Sequence, residues 1–202
     1  MKKRQSAWTS SSGQSVVEFA LILPILVLIV LGVAELGWAL LDEHVVTRLS
    51  REGSNLISRD TSLQDAGTAV TSMSSPPVDF TNGSTLIFSV VKTGATTGTT
   101  NFGKLTLYQR YAFGNYTCLP PATVCTSQVT TVGSGSFGGA PDYIAANADG
   151  DANLQVTSLP ASLVPVGGMI YITEIFTKHN RITPLDHFGV LVPQTLYSIA
   201  YF

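Results

Sequence analysis

The stretch GQSVVEFALILP, residues 13–24, places an ionisable carboxylate, Glu18, immediately before the most apolar segment of the chain. A carboxylate at the edge of hydrocarbon costs on the order of 3 kcal/mol unless it finds a partner. Glu18 is therefore a candidate for pairing with a cation. The alternative is a solvated interfacial carboxylate that has no partner.

A second group of oxygen ligands lies in ADGDANLQ, where Asp149, Asp151 and Asn153 alternate as at the start of a calcium-binding loop. An EF-hand would continue with glycine at the sixth place and glutamate at the twelfth. This chain has Leu154 and Pro160 there. We therefore expect a polar turn, with these three residues as weak metal candidates, and no cofactor.

Groups suited to catalysis are sparse. His179, Asp186 and His187 are close in sequence, but no cysteine or further histidine gives zinc-ligand spacing. No G-x-S-x-G nucleophile motif is present either. The chain is therefore expected not to be an enzyme.

The two cysteines, Cys118 and Cys125, lie seven positions apart. Outside the cytoplasm such a pair can oxidise, and the small ring would contribute roughly 2–3 kcal/mol. A disulfide is the prediction, and two unpaired thiols are the alternative.

These groups must be positioned by a chain with a long apolar run, Phe19–Leu41. As a helix its 23 residues span about 34 Å, enough to cross a bilayer core of roughly 30 Å. The basic residues at positions 2–4 predict a cytoplasmic N-terminus, although arginines also follow the run. The run lacks the cleavage site of a secretory signal peptide. A net charge of −2 gives no indication of nucleic-acid binding.

A short basic leader that ends in glycine, a glutamate five residues later and a hydrophobic helix together resemble the class III signal of type IV pilins and pseudopilins. The resemblance implies that a prepilin peptidase cuts between Gly13 and Gln14. It also implies that Glu18 of one subunit meets the new α-amine on Gln14 of its neighbour. A subunit out of register would leave a buried charge unpaired, so the glutamate would set the register of the filament.

Two segments, GQSVVEFALILPILVLIVLG and RLSREGSNLISR, resemble the TadE family of tight-adherence (Tad) pilus pseudopilins more closely. The later segment MIYITEIFTKHNRITPL resembles the family's closing strand with its E-x-F pair, although His179 and Asn180 stand where an aromatic is expected. The resemblance covers residues 13–60 well and 168–202 loosely. Residues 61–167 match nothing we recognise.

Apolar periodicity predicts that the first helix continues beyond the membrane. Its expected stripe is Leu41, Val45, Leu49, Gly53 and Leu56. A second helix is predicted over 61–75, with Ser62 and Asp65 in capping-box spacing and the stripe Leu63, Ala66, Val70 and Met73.

Alternation of apolar and polar residues predicts strands at 85–91, 104–113, 169–178 and 195–202. In the second strand, one face is expected to carry Leu105, Leu107, Tyr111 and Phe113. The predicted fold class is α+β, with a long N-terminal transmembrane helix extending into a pilin-like domain whose antiparallel sheet packs on helix. The predicted divisions are a leader at 1–13, the helix at 14–60 and an extracytoplasmic domain at 61–202.

The sequence therefore predicts a minor pilin or pseudopilin that is required for assembly of a Tad-type adhesive pilus. The expected partners are a prepilin peptidase, other Tad pilins and pseudopilins, the inner-membrane assembly platform and membrane lipid, with no nucleic acid. The expected location is the bacterial inner membrane, with the C-terminal domain outside the cytoplasm. The alternative is an unprocessed single-pass protein whose outer domain binds a ligand or a surface.

Overall fold

In the computed structural model, the structure describes residues 11–117, 125–184 and 194–202. Two helices, α1 (Ser11–Ile57) and α2 (Leu63–Met73), precede strands β1 (Ser84–Thr93), β2 (Leu105–Gly114), β3 (Met169–Lys178) and β4 (Thr195–Tyr201). A single 3-10 turn, Ala152–Leu154, interrupts the connection between β2 and β3. The α+β class and the four predicted strands are confirmed.

The described chain divides into two compact units. One holds the chain up to Trp38 together with the segment that begins at Arg181. The other begins at Ala39 and contains the end of α1, α2 and the four strands.

The strands form one antiparallel sheet in the order β2-β1-β3-β4. One face of the sheet packs on α2 and on the C-terminal part of α1. The core on this face contains Val46 and Leu49 from α1, Val70 from α2, and Phe88 and Ile175 from the sheet. Burial of such apolar surface is the main stabilising term for a domain of this size.

The buried stripe of α1 differs from the predicted one. Leu41 is exposed, while Val46 and Ile57 are buried. Two serines complete the stripe, because Ser50 Oγ lies 2.8 Å from Ser198 Oγ and Ser54 Oγ donates to the Ala200 carbonyl at 2.9 Å. The prediction was rotated by about one residue because it counted only apolar positions. Small hydroxyl side chains that bond β4 are invisible to that count.

Gly53 marks the closest approach of α1 to the sheet. A Cβ at this position would stand 2.8 Å from Thr173 Cγ2 and 3.1 Å from Phe88 Cε1. We expect Gly53→Leu to lower the free energy of unfolding by about 2–3 kcal/mol, because the helix must move off the sheet. Thermal unfolding of the purified protein in detergent measures this. Gly37→Leu is the control, since Gly37 on the same helix has open space around it. Equal melting temperatures for the two variants would contradict the prediction.

The opposite face of the sheet is covered by the long connection between β2 and β3, which contains little regular structure. Val129, Leu154 and Val164 from this connection pack on Leu107 and Ile172 of the sheet. The same connection bonds along the outer edge of β2, as in the Ala145 N–H to Tyr108 carbonyl bond at 2.8 Å. This second core was not predicted, because the connection shows neither helical nor strand periodicity.

A register shift between Val90 and Val91 divides β2 into two halves. Leu105 and Leu107 belong to the core under the long connection, whereas Tyr111 packs in the core against the helices. The prediction that these residues share a face with Phe113 was therefore wrong. One extra residue in a bulge reverses the side-chain alternation beyond it.

The predicted start of α2 is confirmed. Ser62 is its N-cap, and the Ser62 hydroxyl oxygen accepts from the Asp65 N–H at 3.1 Å. Gly67 is buried on α2 in addition to the predicted Leu63, Ala66 and Val70, while the last residue of the predicted stripe, Met73, is exposed.

Candidate functional site

The N-terminal part of α1 is an apolar surface. From Val16 to Leu41 its large apolar side chains are mostly exposed, in contrast to the buried face that begins at Asp42. By length and composition α1 could cross a membrane, a test that buried core helices and signal sequences also pass. Here the apolar stretch is not buried within the described structure.

The predicted cleavage and registry residues lie at the start of this surface. Gly13 and Gln14 are within the first turn of α1, and Glu18 lies one turn later. The Gln14 Nε2 group donates to Glu18 Oε1 at 2.9 Å, and both residues are exposed. The residue whose α-amine is the predicted partner thus already reaches Glu18 through its side-chain amide within one chain.

Glu35 is the one ionisable residue inside the apolar run, and we expected it to reach lipid headgroups. Instead it is 1% exposed. Its Oε2 atom accepts from the Thr183 N–H at 2.9 Å, the Thr183 hydroxyl at 2.7 Å and the Ile182 N–H at 3.2 Å. Acceptance of three donors is the pattern of an ionised carboxylate. The chain that follows β3 therefore supplies the partners of this buried charge.

His179, which replaces the expected aromatic after β3, is also buried. Its Nδ1 atom lies 2.7 Å from Asp42 Oδ2 on α1. The pair fixes the end of β3 to the helix. Asp186 and His187, the other residues of the histidine group, lie outside the described residues.

Glu174 on β3 is the centre of a buried polar cluster. Its carboxylate accepts from the Tyr197 hydroxyl at 2.8 Å, from the Gln128 N–H at 2.6 Å and from the Ser127 hydroxyl. Arg110 Nη2 donates to Ser127 Oγ at 2.8 Å and to the Val129 carbonyl at 2.7 Å. Ser127 therefore links the arginine to the carboxylate, and the cluster ties the long connection to the sheet.

The electrostatics of the cluster follow from burial. Burial lowers the pKa of Arg110, and the Glu174 carboxylate opposes that change. Burial raises the pKa of Tyr197, and the nearby Glu174 charge raises it further. The phenol therefore stays a neutral donor to Glu174. The cluster joins all four strands to the connection and holds no open cavity for a substrate.

The weak metal candidates do not form a common site. Asp149 pairs with Lys92 at 3.1 Å, and hydrogen bonds from Lys92 and Thr96 lower the pKa of Asp149. Asp151 caps the 3-10 turn by accepting from the Asn153 N–H at 2.9 Å. Within the residues that the structure describes, no three His, Cys, Asp or Glu side chains are grouped to hold a metal ion.

Cys118 lies outside the described residues, so its bond to Cys125 stays a prediction.

Sequence reasoning missed the groups that Glu35 and Glu174 collect. For Glu35 the available signal was the rule that a carboxylate inside an apolar run requires donors. For Glu174 it was the E-x-F pair of the closing strand, since Phe176 stacks on Tyr197 with ring centroids 4.6 Å apart. Neither signal identifies Ser127 or Thr183, which come from irregular segments.

Residues 13–55 match the family model for TadE-like protein, which confirms the predicted resemblance over most of α1. No curated protein and no solved structure matches the chain. The TadE-like segment indicates association with Tad pilus components in general. The single apolar helix is consistent with a single-pass membrane anchor.

Proposed function

We propose that the chain is a minor pilin or pseudopilin of a Tad-type pilus, cut by a prepilin peptidase between Gly13 and Gln14. It enters the inner membrane with its leader in the cytoplasm and its sheet domain outside. It then joins other Tad pilins at the assembly platform through α1. Its role is to initiate, cap or anchor the filament by association, and the chain itself performs no catalysis.

The observation that carries this proposal is the coincidence of the TadE-like match with an exposed apolar helix that begins at a Gly-x4-Glu sequence. Such a surface requires a cover. Lipid provides it before assembly, and the helices of neighbouring subunits provide it afterwards.

The contact between Gln14 and Glu18 supports the registry role. In the uncut chain the Gln14 amide is a neutral donor to the carboxylate. Cleavage places an α-ammonium on the same residue, and a charged donor makes roughly twice as strong a hydrogen bond. Processing would thus convert a contact within one chain into a charge pair offered to a neighbour.

The test is the intact mass and N-terminal sequence of the protein purified from membranes of its own host. We expect a chain that begins at Gln14 and lacks the 13 leader residues. Gly13→Val is expected to retain the leader, because a branched side chain replaces the glycine at the cut. The control variant Gly37→Val, at an exposed glycine of the same helix with open space around it, is expected to be cut normally.

A wild-type chain that keeps its basic leader would overturn the proposal. It would favour the alternative, an unprocessed single-pass protein whose outer domain binds a ligand or a surface.

A further inference from the structure

The further inference concerns Glu35 and the segment that it binds, and it rests on the proposal that α1 spans the membrane. Glu35 lies between apolar neighbours in a stretch where Val33, Leu36 and Leu40 are each more than 60% exposed. A carboxylate in such a stretch is costly unless donors reach it. The donors come from the backbone of Ile182 and from Thr183, so this segment lies directly against the apolar surface of α1.

The depth of the contact follows from helix geometry. If hydrocarbon begins at Phe19, after the charged Glu18, Glu35 lies about 24 Å further along the helix axis. A hydrocarbon core of roughly 30 Å then ends about one turn beyond it. Trp38, half exposed at that point, is a residue typical of the membrane interface. The segment bound to Glu35 therefore lies at the outer boundary of the acyl chains.

The side chain of Ile182 is 54% exposed although both of its neighbours in the contact are engaged with Glu35. An isoleucine beside the exposed Leu36 at this depth faces hydrocarbon, and its burial in lipid is favourable. Its backbone N–H is already bonded to the carboxylate. The segment therefore satisfies its polar groups at Glu35 and leaves an apolar side chain for the bilayer.

We propose that Arg181–Thr183 is a second membrane contact, in which Glu35 holds the backbone and Ile182 enters the outer leaflet. The partner is the lipid bilayer itself. The chain would then be attached to the membrane at two points separated by the whole sheet domain in sequence. The sheet domain would be tethered through the end of β3 as well as through α1.

The experiment places a photoreactive diazirine amino acid at position 182 of the full chain. The protein is reconstituted in vesicles of phosphatidylethanolamine and phosphatidylglycerol, and lipid adducts are measured by mass spectrometry. Position 36 is the control for membrane insertion, and position 144, in the connection along β2, is the control outside the bilayer. We expect lipid adducts at 182 and 36, with a yield at least fivefold above that at 144.

Adducts at 36 but not at 182 would overturn this inference and leave the membrane span intact. No adducts at 36 would overturn the span, and the inference with it. In the variant carrying Glu35→Ala and the probe at 182, we expect the lipid adduct to fall at least threefold while the yield at 36 is unchanged. Glu43→Ala, at an exposed glutamate beyond the run, should leave both yields unchanged. An unchanged yield at 182 after Glu35→Ala would contradict the holding role of Glu35.

Discussion

Glu18→Gln is expected to leave cleavage after Gly13 intact and to reduce the number of pili per cell at least tenfold. The neutral amide keeps the shape of the side chain but removes the counter-charge for the α-ammonium on Gln14. A buried cation that loses its partner costs about 3–5 kcal/mol. Since each 1.4 kcal/mol is tenfold in an equilibrium constant, even partial burial weakens the interface strongly.

Two measurements separate the step that fails. Intact mass reports processing, and electron microscopy with a sheared surface fraction reports pili. Glu43→Gln is the matched control, because Glu43 is an exposed glutamate of the same helix beyond the apolar run. Normal piliation with Glu18→Gln would contradict the registry role and leave Glu18 as a solvated interfacial carboxylate. Loss of processing in the same variant would assign Glu18 to peptidase recognition instead.

The helices and strands were predictable because their signals are local. The apolar run defines the first part of α1, the pair Ser62 and Asp65 marks the start of α2, and alternation marks the strands. The peptide bond at Gly13 and the charge at Glu18 were predictable from spacing alone, since their role depends on neighbours along the chain.

Long-range pairing accounts for what was missed. The reversal of faces in β2 depends on one extra residue opposite Val90 and Val91, and residue types do not reveal it. Ser50 and Ser54 face the sheet because Ser198 and the Ala200 carbonyl meet them, although serine is usually exposed. Burial in these cases is decided by a partner about 150 residues away along the chain.

The polar groups around Glu174 were hidden for the same reason. Arg110 and Glu174 lie on strands that are not adjacent, and Ser127 reaches them from a connection without periodic pattern. Such a cluster costs desolvation energy, and its value depends on every member being bonded. The cluster therefore behaves as one unit that joins the sheet to the segment covering it.

Glu174→Ala is expected to lower the free energy of unfolding by about 3–5 kcal/mol. The carboxylate is fully buried, and its removal leaves the Arg110 charge without a counter-charge and the Tyr197 and Gln128 donors without an acceptor. The long connection then loses its attachment through Ser127. Chemical denaturation of the purified protein, followed by circular dichroism, measures the change. Glu52→Ala, at an exposed glutamate of α1, should shift stability by less than about 0.5 kcal/mol.

A double variant shows whether the charge pair or the carboxylate alone carries the effect. If Glu174 mainly balances Arg110, then Arg110→Met combined with Glu174→Leu should recover most of the lost stability, because apolar replacements remove both buried charges together. Recovery should remain incomplete, since Tyr197 and Gln128 still lack their acceptor. A loss below about 1 kcal/mol for Glu174→Ala would contradict the cluster's role. A double variant as unstable as the sum of its single changes would mean that Arg110 and Glu174 act independently.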